Sequence, residues 1–304
     1  MALKAKVGIA PIAWSNDDLP QLGGDTPLET CLAESRLAGF AGVETGGKFP
    51  RTADELRPLL DKHGLRLASG WYSGTLLDGD LTSEKEKALP QLTMFRELGA
   101  ACLVYGEVSG TIQNRQDVAL TRRRALDDAE MQTYGRRLTR FAEFCHEQGV
   151  PLAFHHHMGT VVENEHDIDR LMKDTGASVR LLFDSGHLTM AGADVLGVLR
   201  RHAARVVHVH AKDVRAEVLA GLDRGKDSFL DAVLKGVFTV PGDGSIDFGA
   251  VVNLLHDSGY QGWFIVEAEQ DPVKAPPLQY ARIGFRALTM AIARGGYIIE
   301  EAHS

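Results

Sequence analysis

The chain has 304 residues, 44% of them hydrophobic, which suits a globular α/β protein with a full core. Its formal net charge is −8, and an acidic surface argues against binding the phosphate backbone of a nucleic acid. The three cysteines, Cys31, Cys102 and Cys145, are far apart and form no CxxC pair, so we interpret them as structural thiols of a reducing compartment.

The first residues, MALKAKVGIAPIAW, hold only a short apolar run, which predicts a first strand rather than a signal peptide. No stretch approaches the roughly 18 consecutive apolar residues of a membrane span. We therefore expect a cytoplasmic protein with no membrane partner.

Helix-like segments that end in glycine alternate with short apolar runs along the chain. The runs show no in–out alternation, which is typical of parallel strands covered on both faces. The candidate strands lie near residues 6–12, 41–45, 65–71, 101–106, 151–157, 179–184, 205–210 and 263–267. This pattern predicts a single (β/α)8 TIM barrel spanning residues 1–304. Because no GxGxxG follows the first strand and no P-loop is present, a doubly wound nucleotide-binding fold is the weaker alternative.

Several helices can also be predicted. Thr26-Pro27-Leu28-Glu29 and Thr52-Ala53-Asp54-Glu55 have the pattern of capping boxes at helix starts. One helix face is predicted for Tyr134, Leu138, Phe141, Ala142 and Cys145. Two long connections, near 107–128 and 211–244, are of a length that is usually functional or interface-forming.

The last four predicted strands run from apolar residues into histidine or carboxylate side chains. One inward-facing candidate ligand per strand gives the set His155, Asp184, His210 and Glu267. The carboxyl ends of barrel strands form the active-site face, so these four side chains should converge there. Each residue alone is more often a polar core or surface group, but four strand ends in series favour a divalent metal. Nitrogen and carboxylate donors without thiolate suit Mn, Co, Fe or Zn.

These residues resemble the metal centre of the xylose-isomerase-like TIM barrels, a superfamily of sugar isomerases, epimerases and dehydratases. Asp184-Ser185-Gly186-His187 matches its Asp-x-x-His element. His155 stands where many members have Glu. The sequence is similar, more closely, to the inosose dehydratases, in the segments Trp14–Pro20, Leu22–Glu29, Gly42–Glu44, Gly47–Pro50, His155–Thr160 and Val266–Pro272.

That resemblance implies loss of water from 2-keto-myo-inositol (scyllo-inosose), giving a trihydroxycyclohexane-1,2-dione in inositol catabolism. The substrate partner would be a small cyclic polyol ketone, the metal Mn2+ or Co2+, and a thiol such as glutathione is a further candidate cofactor. Whether the chain forms a homo-oligomer stays open. His157 is then the expected general base, His187 the acid or a substrate donor, and Lys212 a group that stabilises the enolate or the leaving hydroxyl. Lys212 pairing with Asp213 or Glu269 is the alternative, and either histidine can instead orient a neighbour.

The same resemblance suggests substrate-binding residues near other strand ends, namely Trp14, Asn16, Lys48, Trp71 and Glu269. The aromatic residues are about as readily explained as core, and Asn16 as a brace of the first loop. Three rival functions remain. The first is another metal-dependent enzyme on the same barrel, either a sugar isomerase or epimerase or a dehydroshikimate-type dehydratase. The second is a metal-dependent endonuclease, which the negative charge disfavours. The third is a non-catalytic sugar-binding barrel.

Overall fold

A computed structural model, which describes residues 2–300, shows a closed barrel of parallel strands. Among these residues, the eight barrel strands are β1 (Lys4–Ile9), β2 (Gly42–Thr45), β3 (Arg66–Gly74), β4 (Leu103–Glu107), β5 (Leu152–His155), β6 (Arg180–Asp184), β7 (Val206–Ala211) and β8 (Gly262–Val266). Strands that follow one another in the chain are neighbours in the sheet, and β8 pairs with β1 to close it. The predicted (β/α)8 barrel is confirmed.

Helices surround the strands. They are α1 (Leu28–Ala38), α2 (Ala53–His63), α3 (Leu81–Leu98), α4 (Asp128–Glu147), α5 (Glu165–Asp174), α6 (Ser185–Met190), α7 (Val195–His202), α8 (Ala216–Ala220), α9 (Phe229–Lys235), α10 (Phe248–Asp257) and α11 (Pro277–Arg294). Within residues 2–300, no helix combines the length and the apolar character that crossing a membrane requires.

Two strands end earlier than predicted. β1 stops at Ile9 because Pro11, which has no N–H to donate to a neighbouring strand, opens a 3₁₀ turn. β5 stops at His155, because the chain turns at His157, whose carbonyl accepts from the backbone N–H of Thr160. His157 therefore lies in the loop after β5 rather than on the strand.

The capping boxes form at other helices than those predicted. Pro27 is the residue before α1 and no side chain caps that helix, so the box at Thr26 was wrong. Thr52 does precede α2, but its hydroxyl donates to Glu55 instead of capping the backbone. Reciprocal boxes begin α4, α5 and α9, at Asp127, Asn164 and Ser228.

The main core lies between the barrel strands and the helices, and the predicted apolar face of α4 is buried in it. Smaller clusters fill the barrel interior, one around Trp263 and Ile265 and another around Val104 and Leu182. The interior is therefore packed below the carboxyl ends of the strands, as in other barrels of this type.

The two long connections differ in structure. Residues 108–127 carry a 3₁₀ turn, Leu120–Arg122. The connection between β7 and α10 contains α8, α9 and a pair of two-residue antiparallel strands, Asp213–Val214 and Phe238–Thr239. Phe229 of α9 and Phe238 pack against the ring of His187, which follows β6, so this connection covers one side of the carboxyl-terminal face of the barrel.

Candidate metal centre and active site

A cavity of about 680 Å³ opens at the carboxyl ends of the barrel strands. This volume lies in the range usual for small-molecule sites. Its floor includes His155, His210 and Glu267, and its walls include His157 and Glu269. The predicted strand-end residues therefore lie around one common space.

The four predicted ligands form a compact cluster. His155, Asp184, His210 and Glu267 are all buried, and each offers one nitrogen or carboxylate oxygen within 4.8 Å of the others. His210 Nδ1 lies 3.5 Å from Asp184 Oδ2 and 3.3 Å from Glu267 Oε2. His155 Nε2 lies 3.6 Å from the same Asp184 oxygen. The geometry matches a mixed nitrogen and oxygen coordination site.

Sheet register brings two of these ligands side by side. Leu181 pairs with Val206, but Leu182 pairs with His208, so one residue of β7 is skipped. After this shift Asp184 pairs with His210. Bulges of this kind commonly re-aim side chains next to active sites.

Unpaired polar atoms in the cluster support a bound cation. Among residues 2–300, Asp184 Oδ2, His210 Nδ1 and Glu267 Oε2 are buried without a hydrogen-bond partner. Lys212 Nζ lies 2.9 Å from Glu267 Oε2, but outside hydrogen-bond geometry. Buried polar groups are costly unless paired, and these three atoms face one another, so the residues fit a divalent metal ion.

The charges of the cluster depend on its burial and on its neighbours. Burial opposes the ionised carboxylate of Asp184, but the nearby Lys212 ammonium holds its pKa well below the usual range. Burial, together with repulsion from His210, holds the pKa of His155 well below its usual value. Burial also raises the pKa of Glu267, although the charge on Lys212 opposes the rise. A neutral His155 and an ionised Asp184 are the forms that bind a metal.

Backbone carbonyls determine the tautomers of two histidines. Nδ1 of His155 lies 2.6 Å from the carbonyl oxygen of His156, and Nδ1 of His157 lies 2.8 Å from that of Met158. A carbonyl oxygen only accepts, so each Nδ1 carries a hydrogen, and in the neutral form of each ring Nε2 has the lone pair. Nε2 is thus available for a metal in His155 and for a proton in His157.

A second cluster, His157, His187 and Glu269, adjoins the first. The rings of His157 and His187 have centroids 3.9 Å apart, and His157 Nε2 lies 3.6 Å from Glu269 Oε1. The fully buried Lys212 donates to Glu269 at 2.7 Å and to His187 Nε2 at 2.8 Å. Of the two neighbours suggested for Lys212, Glu269 is the one it contacts.

His157 and His187 differ in access to the cavity. His157 and Glu269 line it, whereas His187 and Lys212 are fully buried behind them. Burial, reinforced by the positive charge of Lys212, holds the pKa of His187 well below its usual value, so His187 is neutral and accepts from Lys212. The structure thus brings all three predicted catalytic residues together but exposes His157 alone of them to the cavity.

Of the predicted substrate-binding residues, the structure brings Trp71 and Glu269 to the cavity. The indole of Trp71 makes edge contacts with the rings of His155 and His157, at centroid distances of 5.6 and 6.1 Å. Gly106 makes room for it, because a Cβ there would overlap the indole.

The other three substrate-binding candidates lie outside the cavity wall. Trp14 is a core residue whose indole donates to Glu34 at 2.6 Å. Asn16 accepts from the backbone of Asp18 and Leu19 and so braces the first loop. Lys48 donates to the carbonyls of Gly23 and Thr26, which ties two loops together.

Sequence reasoning missed several cavity residues. Glu44 lies near the end of β2 and faces the cavity, so the argument applied to strands five to eight would also have found it. Asp17 and Asp18 follow Asn16 in the first loop and also line the cavity. No strand-end pattern marks these two residues, because the folding of the loop over the barrel brings them there.

Comparisons with known proteins agree with this fold. A family model described as xylose isomerase-like TIM barrel matches residues 32–289. The rhizopine catabolism protein MocC of Rhizobium meliloti is 50% identical, over 99% of this chain and 92% of that protein. An inosose dehydratase of Geobacillus thermodenitrificans is 44% identical, over 91% of this chain and 94% of that protein. Among solved structures, the IOLI protein with a binding zinc atom has a TM-score of 0.63 at 16% identity, covering 95% of this chain and 98% of that one, which shows a shared fold.

Proposed function

The chain belongs to the xylose isomerase-like TIM barrel family and groups within it with the inosose dehydratases, and on this premise we propose that it dehydrates 2-keto-myo-inositol (scyllo-inosose) to a trihydroxycyclohexane-1,2-dione. It is then a carbon–oxygen lyase of inositol catabolism. The observation that carries the proposal is the free Nε2 of His157 in the cavity wall, next to the four-residue metal cluster.

His155, Asp184, His210 and Glu267 would hold the metal. When bound, a divalent ion supplies Lewis acidity that polarises the substrate ketone and favours the enolate. Imidazole and carboxylate ligands suit Mn2+ or Co2+, which we propose as the working metals. A thiol such as glutathione remains a candidate additional cofactor.

His157 is the proposed general base. It takes the proton on the carbon next to the ketone at Nε2, since Nδ1 already donates to the carbonyl of Met158. The resulting imidazolium is stabilised by Glu269, whose Oε1 lies 3.6 Å from Nε2.

Glu269 and Lys212 are the proposed source of the second proton. Lys212 donates to Glu269, and Glu269 lines the cavity, so the pair can pass a proton to the departing β-hydroxyl. The C–O bond then breaks and water leaves. The proton held by His157 returns to the pair, which restores the site. His187 orients Lys212 from behind by accepting one of its hydrogens.

The cavity wall offers polar groups for a ring polyol. Asp17, Asp18, Ser73 and Gln113 can hydrogen-bond hydroxyls, and Trp71 offers an apolar edge.

A single domain over residues 1–304 and a location in the cytoplasm stay predictions from the sequence.

Incubating the purified protein with Mn2+ and scyllo-inosose tests the function. We expect the absorbance of an enone or diketone to appear. With chelator-treated protein it should not appear, and adding Mn2+ or Co2+ should restore its formation. Glutathione is added in a parallel series, where a rate increase would establish the thiol requirement.

An epimer or isomeric ketone that accumulates without any absorbance change would contradict the dehydratase and favour an isomerase or epimerase. Because one relative is named for rhizopine catabolism, rhizopine is assayed beside inosose. Turnover of rhizopine without turnover of inosose would replace the substrate proposed here.

A further inference from the structure

We propose that Glu44, on β2, is a positioning residue that holds His210 in the tautomer and orientation needed to bind the metal through Nδ1. The inference rests on the metal site of the proposed function. It adds a residue outside the ligand set and on the opposite part of the barrel.

The geometry around Glu44 is compact and buried. Its carboxylate accepts from Ser69 Oγ and lies 2.9 Å from His208 Nε2 and 3.2 Å from His210 Nε2. Glu44, Ser69, His208 and His210 are each at most 5% exposed. The carboxylate thus sits among three side chains that can all donate to it.

The hydrogen-bond roles follow from chemistry. An ionised carboxylate has no hydrogen to give, so the ring nitrogen that faces Glu44 must carry one. In the neutral imidazole that binds a metal, the single hydrogen of His210 is then on Nε2, which leaves the lone pair of Nδ1 for the ion. Nδ1 is also the atom that points at Asp184 and Glu267 and lacks a hydrogen-bond partner within residues 2–300.

The backbone prepares this contact from both sides. Val43 pairs with Leu67, but Glu44 pairs with Ser69, so β3 has an extra residue at this point. The shift on β7 pairs His208 with Leu182 and His210 with Asp184 of β6. Two irregularities, on strands from different parts of the barrel, therefore bring Glu44 and Ser69 against His208 and His210.

Carboxylates that hydrogen-bond to a metal-binding histidine affect the affinity of the site for its metal. A carboxylate that receives the second N–H of a metal-bound imidazole orients the ring and increases its basicity, and its loss typically costs 10–100-fold in metal affinity. Ser69 and His208 hold Glu44 itself, since each contributes a hydrogen bond to the same carboxylate oxygen.

Titration of chelator-treated protein with Co2+ tests the inference without any substrate. Glu44→Gln keeps the shape but removes the charged acceptor, and we expect the Co2+ dissociation constant to rise about 10–100-fold, with a changed visible spectrum of bound Co2+. Glu84→Gln is the matched control, because Glu84 is also a buried acceptor, bonded to Tyr72 and Thr75 away from the metal cluster. It should bind Co2+ as the original chain does.

A second measurement does not depend on a folded variant. Nitrogen NMR of the Zn2+-loaded original chain should show the hydrogen of His210 on Nε2. A hydrogen on Nδ1, or an unchanged Co2+ affinity in a folded Glu44→Gln, would overturn the proposal.

Stoichiometry separates the alternatives. If the original chain binds two Co2+ ions and Glu44→Gln binds one with unchanged affinity, Glu44 is a ligand of a second ion, and the positioning role is wrong. An original chain that binds no Co2+ would overturn the inference together with its premise. If the original chain does not turn over inosose but Glu44→Gln binds Co2+ more weakly than the original chain does, this inference stands and the dehydratase proposal is wrong.

Discussion

At the scale of single residues, the site depends on which nitrogen of each histidine carries a hydrogen. Backbone carbonyls hold Nδ1–H in His155 and His157, which leaves Nε2 free in both. We nevertheless propose different roles for the two residues, because His155 faces Asp184 in the ligand set and His157 faces Glu269 in the cavity wall. Position, not residue type, separates the proposed ligand from the proposed base.

Replacing His157 tests that separation. His157→Gln should lower turnover of inosose about 10²–10⁴-fold, as expected for loss of a general base, while the bound metal is retained. Steady-state rates and elemental analysis of the same sample measure both effects. Glu267→Ala is the contrasting variant and should lose metal. Unchanged turnover in His157→Gln would rule it out as the base, and full metal occupancy in Glu267→Ala would rule out its ligand role.

At the scale of elements, the junction of β6 and α6 explains the Asp-x-x-His spacing. Asp184 ends β6 and is also the residue that caps α6, where its Oδ1 accepts from the backbone N–H of His187 at 2.8 Å. That bond orients the carboxylate so that Oδ2 faces His155 and His210. Three residues later in the chain, His187 lies against the buried Lys212 and accepts a hydrogen bond from it.

Gly186 tests how closely α6 packs on that lysine. A Cβ at this position would overlap the aliphatic stem of Lys212, so Gly186→Ala should displace the ammonium from Glu269. We expect a loss of about 1–3 kcal/mol in the free energy of unfolding and a clear fall in turnover. Urea unfolding and steady-state kinetics measure the two.

The matched control is Gly221→Ala, where an added Cβ meets ordinary contact distances and φ is −85°. Its stability and turnover should match those of the original chain. If Gly186→Ala has the same stability and turnover as this control, the close packing of Lys212 against α6 is required for neither.

At the scale of the whole molecule, a bound metal would connect strands that are far apart in the chain. The four candidate ligands come from β5 to β8 or just after them, and Glu44 contacts them from β2. Since an ion bound by the folded chain but not the unfolded chain stabilises the fold, metal binding and global stability should be coupled.

Thermal unfolding measures this coupling. Chelated protein should melt at a lower temperature, and Mn2+ at about 100 times its dissociation constant should add about 2.7 kcal/mol of stability. Glu267→Ala should respond much less to the same Mn2+ series. A melting temperature that does not change with Mn2+ in the original chain would contradict a metal site built from these strands.

The sequence by itself was sufficient for the fold, the family and the ligand cluster. Parallel strands leave apolar runs, several of the helices between them end at glycines, and the carboxyl ends of the strands must meet at one face. His155, Asp184, His210 and Glu267 could therefore be predicted to converge, and the structure brings them together. The family was predicted from contiguous segments such as Trp14–Pro20, and the comparisons confirm it.

Only the tertiary structure decided what depends on long-range packing. Trp14, Asn16 and Lys48 lie in segments on which the resemblance to the family was based, yet their side chains face the core or the loops. Glu44 contacts His210 only because two register shifts and barrel closure bring β2 and β7 together. The burial of His187 and Lys212 behind the cavity wall likewise depends on how α6 packs. Local spacing determines which residues end a strand, whereas contacts across the barrel depend on register and closure.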